Sequence, residues 1–335
     1  MAADFQPTLR QWLASEGGAV PFRRFMEAAL YDPNFGYYAR QIRSVGAQGD
    51  FSTSATLSPR LGQAIAHWIT HEAAGGCRHL IEIGPGSGTL HQAVRQALGW
   101  RGRWHWKSHL VERSPRLEAE QRKILGRGVQ WHPDPASALQ AAGGEALIVS
   151  NELVDAFPVT LLQRHGGIWQ EIWLELTPEG RAVETVRPGI PRDLSLHASG
   201  FAEGQRIEVH ESWGDWFQTW RPHWRRGTML TIDYGGTAEG LYHRRPQGTL
   251  RGYHQHQRLA GLALYRDPGH CDLTADVNFT DLIRLGESSG LLTVKLESQS
   301  EFLARHSQST LPTSIRLADP HGAGGAFLCL QQRLV

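Results

Sequence analysis

Residues 79–98 constrain this chain more than any other stretch. His79-Leu80-Ile81-Glu82-Ile83 is a short, mostly apolar run of the kind that forms a buried strand. Gly84-Pro85-Gly86-Ser87-Gly88 follows as a glycine-rich turn. Ser87 to Leu98 then carries Leu90, Val94, Ala97 and Leu98 at helical spacing. Strand, turn and helix in this order make a nucleotide-type binding corner. Glycines let the backbone approach a ligand and adopt positive φ. The first turn of the helix offers backbone N–H groups that have no partner inside the helix.

The spacing separates ligand classes. A dinucleotide fingerprint reads G-x-G-x-x-G, whereas this turn reads G-x-G-x-G, with Thr89 where the third glycine would stand. No lysine follows Gly88, so the phosphate loop G-x-x-x-x-G-K-[ST] is absent. An acidic residue, Glu82, sits two positions before the first glycine. The run Glu82-Ile83-Gly84-Pro85-Gly86-Ser87-Gly88-Thr89-Leu90 resembles motif I of class I S-adenosylmethionine (SAM) methyltransferases. The resemblance implies that the acid lies near the methionine end of the cofactor and that the glycines pack beneath it. A purely structural strand-to-helix turn in another α/β fold is the alternative.

From residue 79 onward the chain alternates strand and helix, the signature of a parallel α/β sheet. Strands are expected at 79–83, 105–111, 128–131 and 146–150, with helices at 114–125 and 135–141 between them. Strand 227–233, helix 278–289, strand 291–296, helix 299–306 and a last strand from Phe327 continue the pattern. Two stretches depart from it. Residues 159–210 contain an antiparallel hairpin across Gly166-Gly167 and an irregular Pro/Gly-rich run from Arg181 to Phe201. Residues 237–275 read as loop. Before the sheet come two short helices at 5–15 and 21–31, the aromatic turn Tyr31 to Tyr38, the polar loop Gly49 to Ser54 and a helix over 57–73. The expected organisation is therefore an N-terminal helical or lid region over 1–76 and an α/β domain over 77–335, with insertions at about 159–210 and 237–275.

Charge and cysteine content exclude several classes. The 34 basic and 33 acidic residues give a net charge of +1, so no global field points to nucleic acid or to an anionic membrane. The three cysteines, Cys77, Cys271 and Cys329, are far apart and odd in number; they suggest neither a disulfide framework nor a zinc site and fit a reducing compartment. The 17 histidines are scattered, and no metal site is expected. The N-terminus lacks the basic and apolar regions of a signal peptide, and no apolar run approaches the length of a membrane span. A cytoplasmic protein without membrane insertion is the expectation. The 12 tryptophans, many within 100–131 and 213–224, read as core aromatics.

The polar groups after the strands carry the chemistry. Glu112 ends the second strand, thirty residues after Glu82. A carboxylate there can accept two hydrogen bonds from a ribose diol, although NAD sites use the same device and a solvated strand-end glutamate is the plainer alternative. Asn151, Glu152 and Asp155 follow the fourth strand and would face one crevice, since ligands in such sheets sit beyond the carboxyl ends of the strands. Two carboxylates there could grip a guanidinium and accept a proton; helix capping by Asn151 is the alternative. Asp233-Tyr234-Gly235-Gly236 would border the same crevice. Arg244, Arg245, Arg251, His254 and His256 form a basic loop, either a contact for an acidic partner or a solvated surface. Asp276 and Asn278 read as caps.

Six ordered blocks extend the likeness along nearly the whole chain. They are Phe25-Met26-x-x-Ala29-Leu30-Tyr31-Asp32-Pro33-x-x-Gly36-Tyr37-Tyr38, Gly49-Asp50-Phe51-x-Thr53-Ser54, the glycine turn, Asn151-Glu152-x-x-Asp155-Ala156-x-Pro158-Val159, Asp233-Tyr234-Gly235, and Asp267-Pro268-Gly269 with Asp272-Leu273-Thr274-Ala275-Asp276-Val277. In these the chain resembles the MidA family of SAM-dependent methyltransferases, bacterial relatives of the mitochondrial complex I assembly factor that dimethylates an arginine. The resemblance implies a class I (Rossmann-like) α/β sheet with helices on both faces, an N-terminal helical lid, an inserted β-rich subdomain, and SAM as cofactor. It further implies an arginine of a partner protein as acceptor, with assembly of a respiratory complex as the setting the relatives suggest. Glu82, Gly84, Pro85, Gly86, Gly88, Glu112, Gly49, Asp50, Thr53 and Ser54 would then bind the cofactor, and Glu152, Asp155 and Asn151 would act on the acceptor. One local departure, Ser54-Ala55-Thr56-Leu57, falls in the lid. A non-catalytic scaffold that keeps the fold, and a methyltransferase for a small molecule, are the competing readings. Oligomeric state is not legible.

Overall fold

The computed structural model describes residues 7–41, 59–72, 76–189, 201–254, 257–306 and 323–334. Gly49, Asp50, Thr53 and Ser54 lie outside them, as does His256. Chain contacts divide the described residues into two compact units. One takes the described residues of 1–43, 154–215 and 236–281; the other those of 44–153, 216–235 and 282–335.

The second of these units is built on one sheet. In chain order its strands are β1 (His79–Ile83), β2 (Lys107–Val111), β3 (Val129–His132), β4 (Leu147–Asn151), β5 (Gly227–Gly236), β6 (Leu291–Ser298) and β7 (Phe327–Leu334). They lie side by side in the order β3-β2-β1-β4-β5-β7-β6. The first five are parallel. β7 runs antiparallel to both β5 and β6. The chain reverses direction across the sheet between β1 and β4, the switch point where α/β sheets bind ligands.

Its helices are α1 (Arg60–Glu72), α2 (Thr89–His105), α3 (Pro115–Leu125), α4 (Pro135–Ala141) and α5 (Gln299–His306). Side chains alternate across each strand. Leu80, Leu147, Val149, Leu230, Ile232 and Cys329 therefore share one face, and they form a single buried cluster with Leu61, Ile65, Trp68 and Ile69 of α1, Leu90 and Val94 of α2, and Phe302 and Leu303 of α5. Burying a Leu- or Ile-sized side chain stabilises by about 1.5–3 kcal/mol, so this cluster is the main source of cohesion in the unit. α1 and α2 cross closely at Gly62, where a Cβ would stand 2.5 Å from that of Ala93. Ser114 and Asp134 cap α3 and α4 by accepting from the backbone N–H groups of Leu117 and Ser137, and Pro115 and Pro135 follow them at the first helical position.

The other unit contains the antiparallel strands Thr160–His165, Ile168–Leu176, Ala182–Pro188 and Arg206–Val209, joined at one edge by Ala19–Pro21. Here the structure corrects the sequence reading: Ala182–Pro188 is an ordered strand paired along its length with Ile168–Leu176, not irregular chain. The stretch 237–275 likewise holds a three-stranded sheet of Arg251–His254, Gln257–Leu259 and Asp272–Thr274. Asp276 is no cap; it ion-pairs with Arg245 and Arg251, which ties down part of the expected basic loop. Asn278 does cap, accepting from the Thr280 N–H.

Trp106, Trp213, Trp220 and Trp224 are buried as expected, but Trp100 and Trp104 are exposed. No helix among the described residues is long and apolar enough to cross a membrane.

Candidate active site

The glycine turn connects β1 to α2 at the switch point. Gly84, Gly86 and Gly88 all have positive φ, at 68°, 53° and 82°. A Cβ on Gly84 would come within 2.8 Å of Leu153 Cδ1, and one on Gly88 within 3.2 Å of Gln121 Cγ. Conformation and space both require glycine there. Gly84 N–H donates to the Val111 carbonyl and Gly88 N–H to the Pro85 carbonyl, which fixes the loop against β2. No side chain caps the N-terminus of α2, so the backbone N–H groups of its first turn remain as donors for a ligand.

Glu82 is 4 % exposed at the end of β1. Its Oε2 lies 2.9 Å from Nδ1 of His91 on α2, a residue with no exposed surface. The carboxylate accepts, so Nδ1 carries the proton in this pair. His91 Nε2 is buried and finds no hydrogen-bond partner among the described residues. Sequence reasoning missed His91, which lies in the first turn of α2 and shows its partner only once the helix packs on β1.

Glu112 follows β2, and its backbone N–H donates to the His132 carbonyl. Its Oε1 accepts from the Ser114 N–H at 2.8 Å and its Oε2 from Gln121 Nε2 at 2.9 Å. A carboxylate in this place is also suited to accept hydroxyls of a ribose. Burial pushes the Glu112 carboxyl above its usual range, opposed by the Ser114 and Gln121 hydrogen bonds. Gln121 also donates to the Gly86 carbonyl at 2.8 Å and accepts from Trp131 Nε1 at 2.9 Å. This one buried amide joins the glycine turn to the acid of β2. Gln121 was missed in the sequence, where no motif marks it.

At the end of β4, Asn151 Nδ2 donates to Glu152 Oε1 at 3.1 Å. Glu152 has φ 51°, and among the described residues only Arg244 shares a positive φ without being glycine. Its N–H donates to the Ile232 carbonyl of β5. Asp233, wholly buried at the end of β5, accepts from the Leu153 and Tyr234 N–H groups. Backbone in the left-handed region costs of order 1–3 kcal/mol outside glycine and persists where surrounding bonds enforce it, often at functional sites. Asn151 and Glu152 thus stand together at the carboxyl end of the sheet. Asp155 lies on the short turn Val154–Ala156 in the other unit, where its carbonyl accepts from the Ala275 N–H. In that unit Tyr31 and Tyr38 stack at 5.4 Å, and Tyr38 donates to Asp272. Pro85 takes its place within the turn. Among the described residues no group of three or more His, Cys, Asp or Glu side chains is placed to hold a metal ion.

An acid able to accept ribose hydroxyls, joined through Gln121 to a glycine turn with a second, buried acid at the end of β1, is an arrangement that fits an adenosyl cofactor bearing an aminoacyl tail. Comparison with known proteins agrees. Residues 61–296 match the family model for S-adenosyl-L-methionine-dependent methyltransferases. The mitochondrial protein arginine methyltransferase NDUFAF7 homolog of Caenorhabditis elegans is 27 % identical over 327 residues, covering 86 % of this chain and 73 % of that protein. NDUFAF7 of Danio rerio is 29 % identical over 307 residues, covering 80 % and 68 %. A crystal structure from Burkholderia thailandensis, a COG1565 superfamily member bound to S-adenosyl-homocysteine, superposes with a TM-score of 0.85 at 28 % identity, covering 97 % of this chain and 90 % of that one.

Proposed function

Because this chain belongs to the family of S-adenosyl-L-methionine-dependent methyltransferases, we propose that its methyl acceptor is an arginine side chain of a partner protein. The relatives named as protein arginine methyltransferases support the acceptor class. The observation that carries the reading is Glu152, held at φ 51° with its carboxylate bonded to Asn151 at the carboxyl end of β4.

When bound, the cofactor supplies an electrophilic sulfonium methyl group. The protein then has mainly to hold the acceptor nitrogen in line with it, so most of the rate comes from positioning. Glu112 accepts the ribose hydroxyls, the glycine turn lets the backbone approach, and Glu82 with its His91 partner faces the aminoacyl end. A guanidinium shares its positive charge over three nitrogens, which leaves the lone pair of the attacking nitrogen poorly available. The Glu152 carboxylate draws that charge away from the attacking nitrogen and accepts its proton. Asn151 keeps the carboxylate in place by donating to Oε1. Asp155 is the second carboxylate of this reading, and Gly49, Asp50, Thr53 and Ser54 its further cofactor contacts.

The test is transfer of labelled methyl from SAM to arginine-containing proteins, followed by acid hydrolysis and amino-acid analysis. Label in methylated arginine supports the reading. Label confined to lysine or to a small molecule rejects it.

A further inference from the structure

The two most exposed large apolar side chains among the described residues are Trp104 at 88 % and Trp100 at 67 %. They lie four residues apart on α2, so they project from the same side of the helix. α2 changes direction just before them, at Gly99, whose φ is 66°. Beyond that bend the helix carries Arg101, Arg103 and His105, and Lys107 opens the strand that follows. The Arg101 guanidinium stands 5.2 Å from the centre of the Trp100 ring. No Asp or Glu occurs between Gly84 and Val111. An otherwise near-neutral chain therefore carries two exposed indoles beside arginines in a stretch that contains no acidic residue.

The position of this surface matters as much as its composition. α2 begins at the glycine turn, beyond the carboxyl end of β1, and ends against Lys107, the first residue of β2. After the bend at Gly99 its second segment carries Trp100 and Trp104 towards the start of β2. The tryptophans thus stand at the opposite end of the sheet from the cofactor corner, and occupying them would leave that corner open.

We propose that Trp100, Trp104, Arg101 and Arg103 form a docking surface for an anionic lipid bilayer. Indole rings settle at the boundary between headgroups and acyl chains. Basic side chains beside them are drawn by the negative potential of acidic headgroups. Two indoles and a few charges give weak, reversible attachment.

The test is flotation of the full-length protein with vesicles of equal parts phosphatidylglycerol and phosphatidylcholine, and with phosphatidylcholine alone. The expected result is binding to the anionic vesicles only, weakened by added salt as surface charge is screened. Trp100→Ala combined with Trp104→Ala lowers the partition coefficient at least about tenfold, and Arg101→Glu combined with Arg103→Glu does the same. SAM affinity stays within about twofold in both variants, since neither pair lies at the cofactor corner and a twofold change is under about 0.5 kcal/mol. Absence of native binding, or binding undiminished in the tryptophan variant, overturns the proposal. So does lipid-independent self-association that disappears with Trp100 and Trp104, which would assign the surface to a second copy of the chain.

Discussion

Glu82 Oε2 and His91 Nδ1 lie 2.9 Å apart with almost no access to solvent. The acid at the end of β1 is thus bonded to a histidine of α2, and the pair ties strand to helix. Replacing one member leaves its partner buried and unmatched, which costs about 1–3 kcal/mol. We expect His91→Leu to lower unfolding stability by that amount in urea titration. We also expect it to weaken SAM binding about tenfold, a change equal to about 1.4 kcal/mol. Unchanged affinity in a folded variant would separate His91 from cofactor binding.

Gln121 is the second hidden connector, since its single amide bonds Gly86, Glu112 and Trp131. Gln121→Leu keeps the bulk but removes three hydrogen bonds, each worth about 0.5–1.5 kcal/mol. The predicted outcome is weaker binding of both SAM and S-adenosylhomocysteine by about tenfold or more, because Glu112 and the glycine turn lose their common support. Calorimetric titration checks it. A variant that binds both as the native protein does would show that the turn holds its shape alone.

Gly84 tests the cradle. Its φ is 68°, and a Cβ added there would stand 2.8 Å from Leu153 Cδ1, so Gly84→Val meets both backbone strain and a clash. We predict loss of measurable SAM binding and a stability loss of about 1–3 kcal/mol, read by titration and thermal unfolding. Native-like affinity would mean that the turn does not approach the cofactor.

Acid should loosen the fold. His109 is buried in β2, hydrogen-bonded between His79 and His132. Burial, together with the neighbouring His132 and His79, lowers it from 6.5 to about 3. Burial also lowers His210 to about 4 and His306 to about 4. The folded state therefore resists protons that the unfolded chain binds. Stability contributed by these neutral histidines is full above pH about 6.5 and falls as pH drops from there towards 3–4. Glu112, whose folded value is raised, acts in the opposite sense, contributing stability that is lost as pH rises through its folded value. Urea unfolding between pH 7 and 4 should show a steady loss, with a shallower slope in His109→Gln. A flat profile would contradict the neutral histidine row.

The strand ends that carry the candidate residues were legible in the sequence because they are local. Glu82, the three glycines and Asn151-Glu152 sit at strand ends whose apolar runs announce themselves, and Glu112 follows from the thirty-residue spacing. His91 and Gln121 were not legible, since a polar residue inside a helix discloses its partner only once the helix is packed. The strand Ala182–Pro188 and the short strands between 251 and 274 were hidden for another reason. Each is defined by pairing with distant chain, and glycine and proline around it read as loop. Trp100 and Trp104 misled in the other direction: composition placed them in the core, and the bend at Gly99 turns them outward.

The central claim is that Glu152 serves the acceptor while the glycine corner serves the cofactor. The most direct measurement compares native protein with Glu152→Gln for SAM affinity and for labelled-methyl transfer, with amino-acid analysis of the product. SAM affinity is expected within about twofold of native, with methylated arginine formed by the native protein and transfer reduced at least about a hundredfold in the variant. Transfer preserved in Glu152→Gln, or lost only because SAM no longer binds, would contradict it.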